Sequence, residues 1–141
     1  LGKPYHKEIA GKQTVNFNIS HSGEFILEGF AVGMDIGVDV QEMAGCPDYR
    51  EIAGNFYTAE EAEDVINEGP ELFFQYWAAK EAYVKAIGIG LGRGMDFFSV
   101  RNGEITEKGR KGQGWHLYPV KIEGYAAYVA AHKKGDKSNE L

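Results

Sequence analysis

Residues 77–85, Trp77-Ala78-Ala79-Lys80-Glu81-Ala82-Tyr83-Val84-Lys85, set one carboxylate and two amines inside an otherwise apolar helical pattern. Upstream, Gly37-Val38-Asp39-Val40-Gln41 reads as a buried strand with an acid in mid-run. Acids in apolar elements are costly unless something pairs with them. A divalent cation holding a phosphate would satisfy both at once, because Mg²⁺ takes hard oxygen ligands and keeps several waters. Asp39 and Gln41 stand two apart on the strand, so their side chains leave the same face. One reading makes them a carboxylate ligand and a weaker, neutral amide ligand. The other makes them the polar end of a strand turning to solvent.

Glu81 and Lys85 have the i,i+4 spacing of an ordinary surface pair, worth only a few tenths of a kcal/mol. Lys80 argues against so plain a reading, since an amine centred in an apolar arc has no solvent face unless it snorkels. Ser20-His21-Ser22-Gly23 carries hydroxyl and imidazole donors that suit a phosphate, and a plain turn accounts for it equally well. A serine hydrolase is excluded on pattern, because G-x-S-x-G is absent and no later histidine and acid complete a triad. Gly88-Ile89-Gly90-Leu91-Gly92-Arg93-Gly94 follows a helix instead of opening one after a strand, so it is not a dinucleotide loop. It reads as a mobile loop beside the site, and Lys108-Gly109-Arg110-Lys111-Gly112 as a solvated loop. His6, His21, His116 and His132 show no metal-ligand spacing.

The elements that must position these groups follow from the pattern. Val15–Ile19 alternates as a short strand, with residues 20–23 as the turn after it. Phe25–Val32 and Ile36–Val40 read as strands, the second apolar enough to be buried on both faces. Residues 42–55 suggest a connection and a short helix. Thr58-Ala59-Glu60-Glu61 has the capping-box form and predicts a helix over 59–67. Asn67–Pro70 breaks it. Glu71–Ile87 is the strongest helix, with Phe73, Tyr76, Trp77, Val84 and Ile87 on one arc and Gly88 as its stop. At about 100° per residue, Lys80 falls mid-arc and Glu81 and Lys85 near its edge. Phe97–Arg101, Trp115–Val120 and Tyr125–His132 read as strands, and a polar tail closes the chain. No regular βαβ period appears, so the fold class is α+β.

The 141 residues suffice for one compact domain or two very small ones, and 43% hydrophobic content supplies a core. A net charge of −6, from 21 acids and 15 bases, argues against a diffuse nucleic-acid or anionic-membrane surface. Cys46 stands alone, so no intrachain disulfide forms. No apolar run approaches the roughly 20 residues of a membrane span, and no signal peptide is recognisable, so a soluble, cytoplasmic protein is expected. The chain opens at Leu1 without a methionine, which suggests a processed product or a fragment.

Four motifs occur in order: Gly2-Lys3-Pro4, Asn18-Ile19-Ser20-His21-Ser22-Gly23, Gly37-Val38-Asp39, and the nonamer at 77–85. Together they resemble the Sfp-type 4′-phosphopantetheinyl transferases, particularly the branch with a Trp-x-x-Lys-Glu-Ala core. The likeness runs from about residue 2 to residue 100. It implies transfer of the phosphopantetheine arm from coenzyme A to a serine of an apo acyl or peptidyl carrier protein. By the same resemblance Asp39 and Glu81 hold Mg²⁺, with Gln41 at a third metal position where many members carry an acid. Lys85 contacts phosphate and assists proton transfer. Glu61, with Glu60 as its near rival, matches a carboxylate that stands beside Lys85 as the alternative base. Lys3, Ser20 and His21 grip the coenzyme's phosphates, chiefly the 3′-phosphate, and Lys80 joins the coenzyme-binding set.

Such enzymes resemble two fused α+β halves with the coenzyme between them. Residues 1–33 then read as the remainder of a first half, 34–133 as the second-half transferase domain, and 134–141 as the tail. The missing wall implies either a fragment or a second chain that completes the site. The rival reading is a non-catalytic coenzyme A-binding or interaction module derived from such an enzyme. A further alternative is a domain whose motif acids are ordinary surface residues.

Overall fold

The computed structural model describes residues 5–9, 13–89, 94–108, 110–112 and 114–133. Lys3, the Gly90–Arg93 part of the glycine-rich stretch and the tail from 134 lie outside the described residues. In chain order the elements are β1 (Tyr5–Ile9), β2 (Gln13–Ser22), β3 (Phe25–Val32), β4 (Met34–Glu42), α1 (Tyr49–Phe56), α2 (Ala59–Glu68), α3 (Pro70–Ile87), β5 (Thr106–Glu107), β6 (Arg110–Lys111), β7 (Trp115–Pro119) and β8 (Tyr125–Lys133). The first three strands form one antiparallel sheet in the order β1-β2-β3. A second has the order β4-β8-β7, also antiparallel, and β5-β6 is a short ribbon. The α+β class expected from the pattern is the one observed. No helix among the described residues is long and apolar enough to cross a membrane.

β2 runs three residues further than its apolar alternation suggests. Ser20, His21 and Ser22 are strand, not turn, and the reversal falls at Gly23-Glu24, where Gly23 takes φ +55. The reason is a polar ladder on the alternate positions 16, 18, 20 and 22. Asn16 donates to the Met34 carbonyl. Asn18 Oδ1 accepts from the Val38 amide at 2.9 Å, Ser20 Oγ from the Val40 amide at 3.2 Å, and Ser22 Oγ from the Glu42 amide at 2.9 Å. β4 is an edge strand of its own sheet, so its outward amides need partners. Side chains of β2 supply them, and the two sheets are joined at that edge.

β4 is buried from Ile36 to Val40, as its apolar run predicts. Ile36 and Val38 face β3, where a Cβ on Gly29 would lie 2.7 Å from Val38 and 2.8 Å from Ile36. Gly37 faces α3, and a Cβ there would lie 2.1 Å from the Ala82 carbonyl and 2.5 Å from the Ala86 amide. Helix and strand backbones therefore touch at Gly37. Strand alternation sends Asp39 and Gln41 to the same, helix-facing side.

α2 begins with the expected capping box: Thr58 Oγ1 accepts from the Glu61 amide and Glu61 Oε1 from the Thr58 amide. α3 ends at Gly88, whose αL backbone lets its amide cap the Val84 and Lys85 carbonyls. The core lies between the helices and the second sheet, built from Tyr57, Val65, Phe73, Tyr83, Phe98 and Ile105 among others. Residues 97–101 differ from the strand their pattern suggests: Ser99 makes a lone bridge to Thr106, and Arg101–Gly103 is a 3₁₀ turn with Asn102 at φ 59. Buried side chains take the Phe98 carbonyl and the Val100 amide, which a strand ladder would otherwise use. Arg110–Lys111 pairs with Thr106–Glu107, so the expected solvated loop contains a tight hairpin. The outer face of the first sheet leaves Ile26, Phe30 and Val32 exposed.

The Gly37 contact gives a direct test. Gly37→Ala should cost about 3 kcal/mol or more, because backbone on both sides must move. Gly54→Ala in α1, with nothing within 4 Å of the new Cβ, should gain up to about 1 kcal/mol. Urea denaturation of the two variants reads the difference, and equal midpoints would refute the close helix–strand approach.

Candidate active site

Asp39 sits on the helix-facing side of β4 and is 5% exposed. Its Oδ2 accepts from Gln41 Nε2 at 2.7 Å and its Oδ1 from Ser20 Oγ at 3.3 Å. Burial pushes its pKa up from 3.8 to about 7, and the nearby Glu81 carboxylate adds to the rise. The Gln41 and Ser20 donors and the Lys85 ammonium oppose it. Burial also raises Glu81, against the pull of Lys85.

The Lys85 amine donates to the Val38 carbonyl at 2.7 Å and the Ile19 carbonyl at 3.0 Å, which bridges β4 and β2. Burial lowers its pKa, while Asp39 and Glu81 raise it. The strand acid, the helix acid and Lys85 therefore share one neighbourhood, although Asp39 and Glu81 are forty-two positions apart. Gln41 joins them through its bond to Asp39. The alternative that these acids are unrelated surface residues does not hold for Asp39.

The donor set fits a hard divalent cation. Two carboxylates made costly by desolvation gain most from such an ion, and a carboxamide oxygen is an acceptable third ligand. Gln41 now turns its nitrogen to Asp39, and rotation of the amide would present Oε1 in its place. Among the described residues no group of three His, Cys, Asp or Glu side chains could hold a metal ion, so the candidate site rests on two acids and an amide.

Glu61 and Lys80 occupy different ground from their expected roles as base and coenzyme ligand. Both side chains are 0% exposed and pair at 2.8 Å. Glu61 Oε1 also closes the capping box, and Oε2 accepts from the Val100 amide at 2.7 Å. Lys80 Nζ donates to the Met95 and Phe98 carbonyls at 2.7 and 2.5 Å and lies 4.2 Å from the Phe98 ring centroid. Each polar atom is engaged inside the protein, so neither side chain is presented to a ligand. The capping box at Thr58–Glu61 was the sequence signal for this structural use.

Ser20 and His21 leave opposite faces of β2: Ser20 is buried against β4 and His21 is exposed. They do not form one donor cluster at a turn. Tyr125, which carried no motif, clamps the hairpin tip. Its hydroxyl accepts from the Glu24 amide at 3.2 Å, and its ring packs edge-on against Phe25. A Cβ on Gly23 would lie 2.2 Å from that hydroxyl. Only the pairing of β8 with β4 makes the contact.

The class defined by this fold and cluster is a small α+β domain with a buried strand aspartate set against a helix glutamate and lysine. The model of the 4′-phosphopantetheinyl transferase superfamily matches residues 35–131, and the chain belongs to that superfamily. The chain is similar to the 4′-phosphopantetheinyl transferase psf-1 of Bacillus pumilus, 33% identical over 107 residues, covering 73% of this chain and 43% of the relative. It is 36% identical over 104 residues to the 4′-phosphopantetheinyl transferase Sfp of Bacillus subtilis, covering 71% and 44%. Similarity extends to the L-aminoadipate-semialdehyde dehydrogenase-phosphopantetheinyl transferase of Mus musculus, 31% identical over 146 residues, covering 87% and 47%. The chain spans about half the length, or less, of the curated relatives it matches. The Sfp-type resemblance read from the motifs holds.

An acid whose folded pKa exceeds its unfolded value keeps its proton longer in the fold. Asp39 should therefore make the protein less stable as pH rises from 3.8 to about 7. Asp39→Asn removes that penalty, with Gln41 turning its amide to match. The variant should gain on the order of 2 kcal/mol over the parent by pH 8 and little at pH 4. Denaturant melts across that range test this, and a pH-independent difference would show that Asp39 is not strained by burial.

Proposed function

We propose that this chain carries the metal- and phosphate-handling part of an Sfp-type 4′-phosphopantetheinyl transferase of the Trp-x-x-Lys-Glu-Ala kind. The reaction moves the phosphopantetheine arm of coenzyme A onto a serine hydroxyl of an apo acyl or peptidyl carrier protein. The observation that carries the reading is the meeting of Asp39, Glu81 and Lys85 between β4, β2 and α3. Superfamily membership and relatives named as 4′-phosphopantetheinyl transferases support the reading. A cytoplasmic setting is part of the same proposal.

Asp39 and Glu81 are the residues that would hold Mg²⁺, with Gln41 or a water as third ligand. The ion would supply positive charge against the pyrophosphate oxygens. In the reaction the serine Oγ–phosphorus bond forms, the phosphorus–oxygen bond to the adenylate part breaks, and the serine proton leaves. Lys85 is assigned to the reacting phosphate and to that proton, because burial lowers its pKa, the direction a proton acceptor needs. Glu61 is not assigned, since accepting the proton would break its pair with Lys80 and its bond to Val100. Lys80 likewise serves the fold. His21, exposed on β2, is the outward donor for a coenzyme phosphate. The uncovered apolar face at Ile26, Phe30 and Val32 supports a further half of the enzyme seated there.

The neutral Gln41, with its amide on Asp39, favours the alternative of a non-catalytic coenzyme A-binding module. Calorimetry separates the two: the enzyme's coenzyme A binding should strengthen with Mg²⁺, and the module's should not. Incubation with coenzyme A, Mg²⁺ and apo carrier proteins, with the chain extended to the length of its relatives, should add one arm to the carrier serine by mass spectrometry. Asp39→Ala and Glu81→Ala should each cut that rate on the order of 100-fold or more while leaving a cooperative melt. Near-normal turnover in either would refute the metal assignment.

A further inference from the structure

We draw no further inference here: the strongest candidate, the apolar groove between the β4–α1 connection and the start of α3 that Met43, Cys46, Pro47, Tyr49, Pro70 and Phe74 line, carries nothing, because nothing in the structure shows what covers it.

Discussion

A fully buried ammonium organises the helical half of this protein. Lys80 has no route to solvent, and an unpaired charge there would cost several kcal/mol. It is met by Glu61, by the Met95 and Phe98 carbonyls and by the Phe98 ring face. Those partners come from α2 and from the segment after α3, so one side chain ties three parts of the chain to one point. Glu61 spreads the effect further. The same carboxylate closes the cap of α2, neutralises Lys80 and accepts the Val100 amide. The Met95 and Phe98 carbonyls and the Val100 amide are thus taken by side chains, and the β-favouring run there keeps only the Ser99–Thr106 bridge of a strand.

The second constraint lies across α3, where the helix backbone rests on Gly37. Close approach at that point brings the next helix-facing position of β4, Asp39, beside Glu81 and Lys85. On its other edge β4 is held by the side chains of β2 instead of a strand backbone. Asp39 is thus squeezed between a helix and a polar ladder, and the cost appears as an acid whose pKa climbs to about 7. Two reluctant acids and a reluctant base in one neighbourhood are an arrangement that fold stability alone does not favour. The stability comes instead from the apolar core and the Lys80 pair on the far side of the helix.

Much of this architecture is legible in the residues. The capping box at Thr58, the stop at Gly88, the buried run of β4 and the strand at 25–32 each reflect local chemistry, and each element stands within a few residues of its expected bounds. The strand at Ser20–Ser22 was hidden because its support is tertiary: serine and asparagine favour turns locally, and only the open edge of β4 makes them strand residues here. The clamp by Tyr125 was hidden for the same reason, since the contact joins positions 24 and 125. In the site, the meeting of Asp39 with Glu81 was signalled by two acids that apolar patterns could not accommodate. Their number of partners was not, because burial on both faces depends on what packs there.

The nonamer of α3 shows why a motif cannot by itself distribute roles. Lys80 and Glu81 are adjacent in sequence and about 100° apart around the helix, so they look into different surroundings. Across from Lys80 lie the cap of α2 and the Phe98 ring, which offer acceptors and no opening. On the other side Glu81 and Lys85, one turn apart, look toward β4 and β2, where Asp39 lies and the Val38 and Ile19 carbonyls accept from the Lys85 ammonium. Two amines of the same type, five residues apart, therefore do unlike work: one is a fixed strut with a charge that never leaves the interior, the other a partly open amine with acids on either side. Exchanging their roles would require moving β4 to the opposite face of α3, and the contact at Gly37 forbids it.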